Sequence, residues 1–312
     1  MLGWLRRWWS RRSAQPPGAG WTQSLSRSDQ LRLEELVRRH FAERGEEVVF
    51  DEGIVVRDGI HYGLENLAQW CGRMPRDEWQ LAVEQHFAML AQAQAEQAEW
   101  AEVAHDFGKA AGRLLLRIYP AEFLDEGRGE WLVHRTDLPG TATVLVADLP
   151  SSVLTLRRDQ VAIWGRSVED LFALAHDQLA DLAPVQIEWT ELAAGQVSVA
   201  VLSADHLYAA THALRLAEWP ELCGVHGTLL AVPSRHALLA VPIHDARVRD
   251  AIRLLAPQVR TMFTKGPGSI TADLFWRRPD GTFERQGYRP DGGTLQFEPA
   301  PGLAGLLRDL TA

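Results

Sequence analysis

Cysteine is almost missing. The 312-residue chain has only Cys71 and Cys223, far apart and in no Cys-x-x-Cys pair. That excludes a disulfide framework and a thiolate zinc centre, and it fits a reducing compartment. Both thiols are expected to pack as small hydrophobes. Long apolar runs are missing too. Nothing approaches the ~20 residues that span a bilayer, and the N-terminus lacks the apolar core of a secretory signal, so no export is expected. Positive charge is in deficit: 32 basic against 41 acidic side chains give a net charge of −9. A general nucleic-acid binder needs a basic face, so none is expected here. No G-x-G-x-x-G follows a predicted strand, and neither a His-Glu-x-x-His nor a G-x-S-x-G elbow occurs. No cofactor and no metal site is expected.

What is present is a hydrophobic fraction of 46%, enough for a sizeable core, and a recurring pattern of two short apolar runs followed by one amphipathic helix. The clearest copy is Thr141–Leu182. Val144–Val146 and Val153–Leu156 read as a strand pair, and Ser167 opens a helix with Leu171, Phe172, Ala175 and Leu179 on its apolar side. A second copy has strands near Val185–Trp189 and Val197–Leu202, with a helix burying Leu207, Ala210, Leu214 and Ala217. A third has strands near Thr228–Val232 and Ala237–Val241, with a helix burying Val248, Ile252, Leu255, Val259 and Met262. A more distant copy lies near the N-terminus. There Ser28 is a plausible N-cap for a helix, Val48–Phe50 and Ile54–Val56 flank a turn at Gly53, and a further helix runs from about Tyr62 to Trp70. A long helix is predicted over Gln80–Ala104, and a β-rich tail follows Ile270. Tightly joined strands must be antiparallel. The expected fold is α+β, with repeated ββα units in antiparallel or mixed sheets and helices mainly on one face. The chain reads as a leader and linker over 1–24, an N-terminal part over 25–140 and a C-terminal part over 141–312.

Candidate chemistry is sparse. Lys265-Gly266-Pro267-Gly268-Ser269 superficially suggests a phosphate cradle, but it links a helix to a strand and Pro267 lacks an amide donor, so it reads as a connection. The 11 histidines are scattered, and His206 and His212, six apart, point to different helix faces. The leader Met1–Arg12 is the strongest partner signal. As a helix, it would set Trp4, Trp8 and Trp9 beside Arg6, Arg7, Arg11 and Arg12, a combination suited to an anionic membrane interface.

Ile118-Tyr119-Pro120, then Val133-His134-Arg135-Thr136-Asp137, Thr143–Leu149, Trp164-Gly165 and Ser167–Leu171 occur in an order that resembles the YtpQ-like family of uncharacterised bacterial proteins. Glu46–Leu67 and Leu229–Trp276, with Val232-Pro233-Ser234-Arg235 between strands, agree in layout. The leader and the tail after Glu284 depart from the pattern. The resemblance implies a cytoplasmic bacterial protein and offers no catalytic residues to carry over. The leading expectation is a non-enzymatic scaffold that binds a protein or peptide, with peripheral contact at the inner membrane face through the leader. The alternative is a hydrolase-like enzyme whose site assembles from His134, Asp137, His226 and His236, which lie near predicted strand ends or turns.

Overall fold

The computed structural model describes residues 25–51, 53–57, 60–192, 197–266, 268–291 and 294–310. Leader residues Trp4, Arg6, Arg7, Trp8, Trp9, Arg11 and Arg12 lie outside them. The chain forms an α+β fold in two compact units, 1–92 and 93–312.

In the first unit, helix α1 (Arg27–Ala42) buries Leu33, Val37 and Phe41, which recur every fourth residue on one stripe. Its cap is Ser26 rather than Ser28: the Ser26 hydroxyl accepts the Asp29 amide at 3.2 Å. Strands β1 (Val49–Asp51) and β2 (Ile54–Arg57) form the expected hairpin, and Gly53 at φ 87° supplies its left-handed turn residue. The run after it is not all helix. Ile60–Gly63 is a third strand, β3, in register with β2 from Arg57↔Ile60 to Ile54↔Gly63, and helix α2 (Glu65–Cys71) starts only after it. Pairing with β2 engages the backbone groups of Ile60–Gly63 in a sheet ladder. Helix α3 (Trp79–Val103) comes next. Trp79 and Val83 from its first turns join Leu33, Phe41, Val55 and Leu67 in one core.

The second unit holds two antiparallel sheets. The smaller has β6 (Thr141–Asp148) at its centre, paired with β4 (Leu114–Pro120), β5 (His134–Arg135) and β7 (Val153–Thr155). Helix α4 (Val168–Gln178) is capped by Ser167, whose hydroxyl accepts the Asp170 amide at 3.0 Å. It lays Leu171, Phe172 and Ala175 into the core of this sheet.

The larger sheet runs β14-β13-β12-β10-β11-β9-β8. Its strands are β8 (Gln186–Leu192), β9 (Val197–Ser203), β10 (Thr228–Ser234), β11 (Ala237–Pro242), β12 (Leu274–Arg277), β13 (Phe283–Asp291) and β14 (Thr294–Glu298). Strand alternation splits its side chains between two cores. Leu229, Ala231 and Leu239 meet helix α5 (Val248–Lys265) on one face, while Leu230, Val232 and Leu238 meet the segment Ala209–Glu218 on the other. Both faces are therefore covered.

The hairpins recur, but the element after each hairpin differs. Ala209–Glu218, where the apolar spacing suggests an α-helix, is a 3₁₀ helix. Ala210, Ala213 and Leu216 are buried at a spacing of three, the 3₁₀ repeat, whereas Ala217 is exposed and Leu207 only half-buried. After β14 a further helix, α6 (Pro301–Asp309), closes the described chain; apart from Pro301, no start signal marks it in the sequence. No helix among the described residues is long and apolar enough to cross a membrane.

Candidate functional site

The sequence-predicted site residues each have separate partners. The His134 ring on β5 lies 3.0 Å from the Gly129 carbonyl through Nε2, and its Nδ1 is buried without a partner. Asp137 accepts from Arg135 Nε at 3.0 Å. His226 sits in the Gly224–Gly227 turn before β10. Its amide donates to the Ile243 carbonyl, and its own carbonyl accepts from Trp276 Nε1 at 2.8 Å. His236, at the β10–β11 turn, accepts from Arg235 Nε at 3.0 Å. Burial, with help from Arg235 and Arg117, pulls the His236 imidazole down to a pKa of about 4, so it is neutral and able to accept. Among the described residues, no hydrogen bond or ion pair joins any of these four to another, and no group of three metal-ligating side chains gathers.

A different feature stands out: an open cleft of about 1500 Å³ between α5, β13–β14 and the end of α6. The sequence places α5 over the sheet through Val248, Ile252, Leu255 and Val259. At roughly 100° per residue, Arg249, Arg253 and Arg260 fall within about 40° of one another on the helix, so they form one cationic stripe. Ile252 and Ala256 lie beside that stripe and form the apolar floor of the cleft together with Tyr288, Phe297 and Leu307. Tyr288 and Phe297 are register partners on β13 and β14, with ring centroids 5.5 Å apart and edge-on. Their edge-on contact gives that side of the cleft an aromatic wall.

The charge of the cleft runs against that of the chain. Its lining has Arg249, Arg253, Arg260 and Arg285 against a single carboxylate, Asp273. Asp273 is taken by Arg285 at 2.7 Å, and Arg253 pairs with Asp250 at 3.0 Å on its own helix. Arg249 donates to the Leu307 carbonyl and ties α5 to α6. Arg260 is exposed and makes no ion pair among the described residues. The Tyr288 hydroxyl is buried without a hydrogen-bond partner. Burial, and secondarily the Asp273 carboxylate, raises its pKa above the ordinary phenol value, so it stays a donor.

The chain matches no protein-family model, no curated protein and no solved structure. Function therefore rests on the geometry alone.

The cleft lining includes no nucleophile with an adjacent base. It offers an apolar trough, one unsatisfied hydroxyl donor and a line of guanidinium groups. The sequence does carry a signal for this, namely three arginines on one stripe of an amphipathic helix. A cationic stripe usually means only a solvated face, and its meaning depends on β13 and β14 rising beside it.

Proposed function

We propose that this protein is a non-enzymatic scaffold that binds a short segment of a partner protein in the α5/β13–β14 cleft. The segment's chemistry is apolar side chains interleaved with carboxylates. The observation that carries this reading is the stripe Arg249, Arg253, Arg260 above the floor of Ile252, Ala256, Tyr288 and Phe297. Apolar side chains bury against that floor. Carboxylates pair with the guanidinium rim, whose planar forks suit bidentate bonds. Charge complementarity favours an acidic occupant, although the acidic chain as a whole repels one, so the local arginine field must do the steering. The free thiols Cys71 and Cys223 fit a cytoplasmic setting. The Trp/Arg composition of the leader supports a second, peripheral contact with an anionic membrane surface.

A fluorescently labelled peptide of alternating Leu and Glu tests the cleft. Wild-type protein is expected to bind it, more weakly as salt rises. Arg253→Glu/Arg260→Glu should weaken binding at least about tenfold through charge reversal at the rim. Ala256→Trp, which fills the floor, should abolish binding while leaving the fold intact. Equal affinity in all three proteins, or concentration-dependent self-association in place of peptide binding, overturns the proposal.

Co-sedimentation with vesicles containing phosphatidylserine tests the leader. The full chain should bind, and a protein starting at Leu25 should not. Equal behaviour of the two removes the membrane contact.

A further inference from the structure

A second group of cations lies elsewhere in the larger unit and shares no residue with the cleft. Arg117 and Tyr119 sit two apart on β4 and so share a face, with the Arg117 guanidinium carbon 4.9 Å from the Tyr119 ring centre. Two hydrogen bonds carry the β10–β11 turn to the same place. The Ile118 amide donates to Thr211 Oγ1 at 3.4 Å, and the neighbouring Ala210 amide donates to the Arg235 carbonyl at 3.3 Å. Arg235 and His236 are thereby brought to β4, near enough that the Arg117 charge acts on both.

Tyr208, which feels the Arg117 charge, donates to the Asp148 carboxylate at 2.5 Å, so that carboxylate is engaged by a hydroxyl. Arg117 is only 8% exposed, makes no ion pair among the described residues, and has its Nε buried without a hydrogen-bond partner. Arg235 also makes no ion pair there, and its one side-chain bond goes to the neutral His236 ring. A buried guanidinium left unpaired is costly.

The arrangement is nonetheless held firmly. The Arg235 amide donates to the Gly268 carbonyl at 2.9 Å. A Cβ on Gly268, whose φ is +67°, would lie 2.7 Å from Arg235 Cδ and Nε. Gly268 thus leaves room for the shaft of Arg235. Tyr119, Arg235 and His236 are partly exposed at the surface, and Phe123 stacks on Tyr119 with ring centroids 4.1 Å apart.

We propose that Arg117 and Arg235, flanked by Tyr119 and His236, bind a dianionic phosphate group, either free phosphate or a phosphomonoester. Two guanidinium groups match two negative charges, whereas a single carboxylate would leave one of them uncompensated. Guanidinium forks pair bidentately with phosphate oxygens. The Tyr119–Phe123 pair offers a surface on which an ester's organic portion can pack.

Thermal unfolding and titration calorimetry with inorganic phosphate and with phenyl phosphate, at matched ionic strength against chloride, test this. The wild-type Tm should rise with either probe, and the tighter of the two identifies the source of the phosphate. Arg235→Gln should weaken binding at least about tenfold, the usual scale for losing a bidentate charged contact. Arg117→Met should abolish the phosphate-induced rise while leaving the phosphate-free Tm no lower than wild type, because it removes an unpaired buried charge. No rise in the wild type, a rise of equal size in either variant, or a phosphate-free Tm of Arg117→Met well below wild type overturns the proposal.

Discussion

Glu284 shows what a single side chain does in this fold. Helix α6 begins at Pro301 without a side-chain cap of its own, because its N-cap is Ala300. Its open amides are met instead from β13. Glu284 accepts from Gly302 at 3.0 Å and Leu303 at 2.9 Å, and Gln286, on the same face two residues on, accepts from Ala300 at 2.9 Å. The approach is close: a Cβ at Gly302 would lie 2.8 Å from either Glu284 carboxylate oxygen, so the carboxylate would have to shift. Burial pushes the Glu284 pKa up, but the two amides and Arg278 outweigh it and hold the carboxyl below its ordinary value. Because the folded pKa is depressed, the stabilisation is present above the unfolded value of roughly 4.3 and is lost as pH falls through the folded one. Glu284→Gln should therefore cost about 1–2 kcal/mol at pH 7 by denaturant unfolding, with the gap to wild type closing in acid.

His212 also costs stability as pH falls, but for a different reason. It is buried against Trp219 with both ring nitrogens unpartnered, and burial, His206 and Arg215 lower its pKa from 6.5 to about 4. Below pH 6.5 the unfolded chain takes up a proton that the folded ring refuses, so stability falls from there toward pH 4. His212→Phe keeps the ring and removes the proton. Its stability should equal or exceed wild type at pH 7 and decline less between pH 6.5 and 4; a steeper decline would contradict this account.

At the scale of elements, legibility in the sequence depends on locality. The helix at Val168–Gln178 is readable because its cap, Ser167, and its apolar spacing both lie within one short stretch. Ser167→Ala should cost about 1 kcal/mol, the usual worth of such a cap. Phe172→Ala, at a fully buried position in the same helix, should cost about 3–5 kcal/mol. The elements that differ from the pattern depend on partners distant in sequence. The 3₁₀ segment Ala209–Glu218 is tied through Thr211 to the Ile118 amide on β4 and through the Ala210 amide to the Arg235 carbonyl. β3 exists because β2 offers an edge. α6 is held by carboxyl and amide groups of β13. Local periodicity does not name these partners.

The same distinction governs the whole molecule. The α+β class is legible, because hairpin spacing and helix periodicity are local. The seven-stranded order, with β10 between β11 and β12, is not. Function obeys the same rule. His134, Asp137, His226 and His236 draw attention because of their residue types, yet among the described residues no hydrogen bond or ion pair joins any of them to another. The arginines draw none, because a cation on a helix stripe or beside a turn is ordinary until the fold sets a second element next to it. α5 acquires a cleft only when β13 and β14 rise beside it. The central claim is that this cleft receives an acidic, apolar-studded segment. The most direct test is amide hydrogen exchange of the full chain with and without the alternating Leu/Glu peptide. Slowed exchange is predicted in Val248–Lys265 and Phe283–Glu298, and none of it in Arg253→Glu/Arg260→Glu. Slowed exchange confined to other segments, or none at peptide concentrations that saturate binding, would contradict the claim.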